Sequence, residues 1–288
     1  MQKRLRRPRF LFGAAIVAGM LAGGCGNSDN FVFTNTVAPP VTPNPPVAVN
    51  DARSALGNAT VTYSAANGVL TNDTVNGATI TAFDSAGSAG GTVVVNPDGS
   101  FTYTPLFGFV GSETFSYTLS NAFGTSTATV TMTSTGEGWF VDNTAGTTGN
   151  GSQADPFDTL LEAVAAAGAG DTIFVARGDG SSTGLSDNIT VPQGVDLVGE
   201  GQGLVLSQTI VPIGGFPSFT GTVTLLGDNT VSGIAFDGVN NAIDASSVPN
   251  IVISNNLFRD STTSAVMMDL SDIQTSLVVS GNTFTQDN

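Results

Sequence analysis

Between Ala48 and Thr133, apolar and polar residues alternate in short runs, and no stretch has helical spacing. Thr60–Tyr63, Thr79–Phe83, Gly91–Val95, Ser100–Tyr103, Thr114–Leu119 and Ser126–Met132 each read as a strand with one apolar face, because side chains two apart share a face of an extended chain. Asn, Gly, Asp and Pro separate these runs at near-regular intervals, which is the pattern of a β-sandwich. Asn96-Pro97-Asp98-Gly99 falls between two of the runs and predicts a hairpin.

The pattern changes from Gly138. Phe157, Leu160, Leu161 and Val164 recur at helical spacing, Thr159-Leu160-Leu161-Glu162 has the form of a capping box, and Gly168 and Gly170 end the segment. One short amphipathic helix is predicted there, placed to cover an open stack of strand edges. Further on, Val231-Ser-Gly-Ile-Ala-Phe236 aligns with Ile253-Ser-Asn-Asn-Leu-Phe258 and Val279-Ser-Gly-Asn-Thr-Phe284. The phenylalanines stand 22 and 26 residues apart, about one coil of a solenoid. Stacked coils at a strand spacing of about 4.8 Å would set Phe236, Phe258 and Phe284 one above another inside. Asn256 and Asn282 would then form an amide ladder along the axis, which the first coil interrupts with Ile234. Ile189–Val191, Val195–Val198 and Val223–Leu226 supply earlier strands.

The runs Gly68-Val-Leu-Thr-Asn-Asp73, Asn96-Pro-Asp-Gly-Ser-Phe-Thr-Tyr-Thr-Pro105 and Gly111-Ser-Glu-Thr-Phe-Ser-Tyr117 resemble the cadherin-like or bacterial Ig-like repeat of surface proteins. In such repeats an acidic loop often follows the Asn-Asp pair; Thr74-Val-Asn-Gly77 has no acid, so no calcium is expected in this domain. Trp139-Phe-Val-Asp142, Gly149-Asn-Gly-Ser152, Asp155-Pro-Phe157 and Asp171-Thr-Ile-Phe-Val175 resemble the opening of pectate-lyase-like proteins. The expected fold class is all-β: an Ig-like β-sandwich over 48–135, then a right-handed parallel β-helix over 138–288 with a short capping helix. Nothing after Phe284 resembles a cap, so either partners cover the last coil or, as is expected, the chain is the amino-terminal piece of a longer protein.

A basic region to Arg9 precedes an apolar stretch, Phe10–Leu21, too short for a comfortable bilayer span of about 20 residues. Leu21-Ala22-Gly23-Gly24-Cys25 resembles the lipobox of bacterial lipoproteins. That resemblance implies removal of residues 1–24, acylation of Cys25 and anchoring in a membrane. Arg6-Arg7 is a lesser hint of twin-arginine export, and an ordinary secretory peptide is the alternative. Gly26, where such lipoproteins carry Asp for inner-membrane retention, implies the outer membrane. Residues 25–47 are read as a tether, stiffened by Pro39, Pro40, Pro43, Pro45 and Pro46 as polyproline II.

Composition narrows the chemistry. The chain is 40% hydrophobic and 11% charged with 36 glycines, which favours folded strands over disorder. Beyond Cys25 three arginines face all 23 carboxylates, a formal charge of −20 that repels nucleic acid. Ca²⁺ is the one candidate counterion, and no other cofactor or metal site is expected. The single cysteine excludes an intrachain disulfide, and the absence of histidine excludes Ser–His and Cys–His nucleophilic pairs. Gly199-Glu-Gly-Gln-Gly203 lacks the basic residue and following helix of a phosphate loop and reads as a turn. A surface protein displaying its β-helix for adhesion, glycan binding or a structural role is therefore expected, not an enzyme. The alternative is a polysaccharide lyase or glycoside hydrolase, with Asp237, Arg259 and Asp260 as catalytic candidates and Trp139 as the one ring free to stack on sugar.

Overall fold

A computed structural model describes residues 44–147, 149–261, 264–267 and 276–286. Cys25, the expected signal segment and the expected tether up to residue 43 lie outside the described residues. Residues 43–288 cluster as one unit. Among the described residues no helix is long and apolar enough to cross a membrane.

The first region is built from β1 (Asp51–Gly57), β2 (Val61–Tyr63), β3 (Thr79–Phe83), β4 (Thr92–Val95), β5 (Phe101–Thr104), β6 (Gly111–Asn121) and β7 (Gly124–Val141). β2, β5 and β4 form one antiparallel sheet; β3, β6 and β7 form the other, with β1 parallel along β7. Alternation does what the sequence predicts: Phe115, Tyr117 and Leu119 of β6 and Ala128, Val130 and Met132 of β7 point into the core. They meet Val61, Tyr63, Val93, Phe101 and Tyr103 from the facing sheet. Asn96–Gly99 closes the β4–β5 hairpin, with Gly99 in the left-handed region at φ 85°. The sandwich begins before residue 48: Val47 bridges Thr74, and Asn76 Nδ2 donates to Pro45 O, so the last residues of the expected tether are already bound. β1 has no alternating apolar signature because its first buried residue is the charged Asp51 and the others, Ala55, Leu56 and Gly57, are consecutive.

β7 carries the main departure from the sequence reading. Gly136 and Gly138, where the pattern changes, lie within one continuous strand that belongs to both domains. They are there for space. A Cβ on Gly136 would stand 2.0 Å from Gly170 O, and one on Gly138 2.7 Å from Leu56 Cδ2. The far end of β7, Gly138–Val141, pairs in parallel with β8 (Thr172–Val175), so one sheet continues from the sandwich into the second region.

Between β7 and β8 lies α1 (Leu160–Ala166). Thr159 is its N-cap, but the capping box is altered: the Thr159 hydroxyl donates to Glu162 Oε2 at 2.8 Å and makes no bond to the helix backbone. The helix buries Leu160 and Ala163 against the first coil, whereas Leu161, expected on the apolar face, is exposed.

The chain then runs β9 (Ile189–Val191), β10 (Asp196–Gly199), β11 (Leu204–Val205), β12 (Thr209–Val211), β13 (Ser218–Phe219), β14 (Val223–Leu225), β15 (Asn229–Ser232) and β16 (Ala235–Asp237). It continues through β17 (Ile243–Asp244), β18 (Ile251–Ser254), β19 (Leu257–Arg259), β20 (Val266–Met267), β21 (Leu277–Ser280) and β22 (Thr283–Thr285). Apart from the β11–β12 hairpin, these strands fall into three parallel sheets: β9, β14, β17, β20; β8, β10, β15, β18, β21; and β13, β16, β19, β22. From β13 onward the chain visits the three sheets in an unbroken cyclic order, which is a parallel β-helix. Its interior is a column of Ile173, Leu197, Val231 and Ile253 with Val223, Ile243, Phe219, Phe236 and Phe258 in the same core.

Candidate functional site

The repeated Phe and Asn positions meet in the β-helix. Phe236, Phe258 and Phe284 hold equivalent register positions on β16, β19 and β22. Ring centroids are 5.1 and 5.0 Å apart with interplanar angles of 9° and 10°, and Phe219 meets Phe236 edge-on. Phe236 and Phe258 are buried, whereas Phe284, the last ring in the column, is 60% exposed. Asn256 is buried beside them; its Oδ1 accepts the Ile234 N–H at 3.1 Å and its Nδ2 donates to Val231 O at 2.9 Å. One coil later Asn282 Oδ1 accepts the Asn256 N–H at 2.9 Å, and its Nδ2 donates to Ile253 O at 2.8 Å. The two side chains also touch, Asn256 Nδ2 donating to Asn282 Oδ1 at 3.2 Å. Each amide thus satisfies the turn of the preceding coil, which Ile234 cannot do for the coil before it.

The alternative catalytic residues stand on the outer face. Asp237 and Arg259 are register partners on β16 and β19, and Arg259 Nε lies 2.8 Å from Asp237 Oδ1. The Ser218 hydroxyl donates to Asp237 Oδ2. Both charges are therefore engaged, on side chains 41% and 25% exposed. Asp260 sits at the following corner with φ 57°, its N–H donating to Thr285 O. Adjacent coils thus bring Asp237 and Arg259 together as an ion pair. Trp139 departs from expectation: it is buried, stacked on Phe157 at 6.0 Å, with Nε1 donating to Asp171 Oδ2 at 3.0 Å. A ring held in that way offers no platform to a sugar. Gly199–Gly203 does turn, but it opens the β11–β12 hairpin, an excursion from the coil.

Residues 43–133 match the family described as Bacterial Ig domain, and residues 143–288, more than half of the chain, match that described as Protein of unknown function (DUF1565). The chain belongs to the DUF1565 family. That domain is associated with the parallel β-helix, in agreement with the cyclic order of its strands. No curated protein and no solved structure matches this DUF1565 chain. An Ig domain joined to such a domain points to a surface or adhesion-type protein.

Within this DUF1565 chain, sequence reasoning missed the buried carboxylates. Glu113 on β6 accepts from the Tyr103 hydroxyl and from the backbone N–H groups of Ala89 and Gly91. Asp171 accepts from Trp139 Nε1, Gly168 N–H and Glu137 N–H and so holds the domain junction. Burial, and then the charge of Asp171, push the Glu137 carboxyl above its ordinary value. The β11–β12 hairpin was missed too. Leu204 joins Leu56, Ala59, Phe140 and Phe174 in an apolar cluster between the domains, and Tyr63 shares a 2.8 Å hydrogen bond with Ser207. The sequence signal for it was the short apolar pair of runs Leu204–Leu206 and Ile210–Val211, separated by Ser207, Gln208 and Thr209.

Proposed function

We propose that this chain is an exported lipoprotein, anchored through Cys25 in the outer membrane, whose β-helix is held away from the membrane as an adhesive or glycan-binding surface. The single observation that supports this most is the joint. β7 is a strand of both domains, β1 runs beside it, and the Leu204 cluster closes the angle between them. A binding surface carried on a continuous sheet is presented in one orientation, which cuts the ordering cost of multivalent attachment. The ion pair between Asp237 and Arg259 also weighs against the enzyme reading: a lyase needs its base unpaired, and this guanidinium is committed.

The test uses the full chain. Incubated with insoluble plant, algal and bacterial polysaccharides and with whole cells, the chain is expected to co-sediment with one class and release no sugar. Ca²⁺-dependent release of products absorbing in the ultraviolet, lost in Arg259→Ala, would replace adhesion by lyase chemistry. Labelled palmitate is expected on the chain and absent from Cys25→Ala; equal labelling would remove the anchor.

A further inference from the structure

Two carboxyl groups of the sandwich are fully enclosed, and they are treated in opposite ways. Glu113 receives donors on both oxygens, as a buried carboxylate must. Asp51, at the start of β1, has a side chain with no exposure, and neither of its oxygens accepts a hydrogen bond. Arg53 Nη2 stands 3.0 Å from Asp51 Oδ1, but its hydrogens are directed to Gly68 O at 2.8 Å and Thr71 Oγ1 at 3.3 Å. The two form an ion pair in which the guanidinium shares its hydrogens with those other acceptors.

The surroundings are short of hydrogens. The Tyr117 hydroxyl, with one proton to give, stands 2.8 Å from Asp73 Oδ2 and 2.9 Å from Val69 O, and it also neighbours Asp51. Asp73 Oδ1 is occupied by the Val49 N–H at 2.8 Å. The ionisable groups around Asp51 are Arg53 on its own strand, Asp73 on the loop before β3 and Tyr117 on β6; β7 presents Val130 opposite it. Burial and Asp73 hold the Tyr117 phenol well above its ordinary value, so it supplies no second proton. One more hydrogen would complete the array, and a protonated Asp51 carries it.

We propose that Asp51 is a proton-binding site: protonated, it donates into the Tyr117–Asp73 array and fastens the segment by which the chain joins the sandwich. That segment, Val47 to Asp51, hangs on the same groups, through Val49 on Asp73 and through Asn72 Nδ2 on the Val49 and Asn50 carbonyls. The sandwich is thereby tightest in mild acid and loosens at this end when the proton leaves. Burial first raises the Asp51 pKa from 3.8 to about 6; the Arg53 charge opposes the rise, the Asp73 charge adds to it, and hydrogen bonding from Arg53 and Tyr117 opposes it in smaller measure. The folded chain therefore holds the proton more firmly than the unfolded one. The stability from this group is complete below 3.8 and is lost as pH rises through about 6.

The test follows thermal unfolding of the full chain by tyrosine emission, since all three tyrosines lie in the sandwich. Asn is the neutral isostere of the protonated side chain. Asp51→Asn is expected to melt with the wild type at pH 4.5 and several degrees above it at pH 7.5. Equal destabilisation of Asp51→Asn at both values would overturn the proposal, because it would assign Asp51 a charged structural role. Should the variant not fold, the ¹³C carboxyl resonance of Asp51 in the wild type decides. A titration midpoint near 6 supports the site, and one in the ordinary aspartate range overturns it. A pH 7.5 stabilisation appearing only with added Ca²⁺ would also overturn it, by putting a metal in the proton's place.

Discussion

The sandwich and the β-helix bury strands over very different ranges of sequence. In the sandwich, β1 pairs with a strand 79 positions away, Asp51 lying opposite Val130. In the β-helix, Phe236 lies on Phe258 and Phe258 on Phe284, at 22 and 26 positions. The polar interiors differ in the same way. Away from the junction the β-helix encloses neutral polar groups, Asn229, Ser232 and Asn256, and the job of Asn256 is repeated one coil on by Asn282, whereas the sandwich encloses the carboxyl groups Asp51 and Glu113, each in a setting made once. A repeated contact must suit every coil, which favours a side chain whose state does not depend on pH. A contact made once can hold a charge or a proton. Sensitivity to pH therefore belongs to the sandwich, and tolerance of it to the coils.

The comparison is most easily broken at Phe258, which has a stacked ring on both sides. Phe258→Ala is expected to cost about 4 kcal/mol as a buried aromatic truncation. Because coils depend on their neighbours, hydrogen exchange should quicken in β16 to β21 while tyrosine emission from the sandwich is unchanged. Equal loss in both regions would mean that the two unfold as one. Asn256→Ala leaves the Ile234 N–H and Val231 carbonyl without partners, for an expected loss of about 3 kcal/mol in denaturant unfolding.

Gly136→Ala probes the shared strand. Its Cβ would meet Gly170 O, a backbone atom, and overpacking of that kind costs about 2 kcal/mol. The expected sign is that the transitions read by tyrosine and by Trp139 emission lie further apart in this variant than in the wild type. The smallest effect is expected from Arg259→Ala, less than about 1 kcal/mol, since its ion pair with Asp237 is partly exposed. A larger loss, read from the midpoint of urea unfolding, would give the outer face of the β-helix a structural part that the sandwich strands lack.

How much of this was legible depends on distance along the chain. Alternation placed six strands, Asn96–Gly99 placed a hairpin, and the recurrence of Phe and Asn placed the column, because each signal repeats within about one coil or one strand. Trp139 was misjudged because its partners, Phe157 and Asp171, are gathered only when the first coil closes. Leu161 was misjudged because a helical face is chosen by what it meets. Gly138 was read only as the point where the pattern changes, and Gly136 was not singled out, although their missing Cβ atoms make room for Leu56 and Gly170.

By itself, then, the sequence determined the kinds of strand and their period, since backbone geometry makes side chains two apart share a face and coils of similar length stack like residues. Tertiary structure alone decided that one strand serves two domains, that Tyr63 reaches Ser207 across 144 positions, and that Asp51 is enclosed beside Arg53 with neither oxygen in a well-formed hydrogen bond. The reason is physical. Burial and hydrogen-bond partnership are properties of a place, and these places are assembled from segments that the chain order keeps apart.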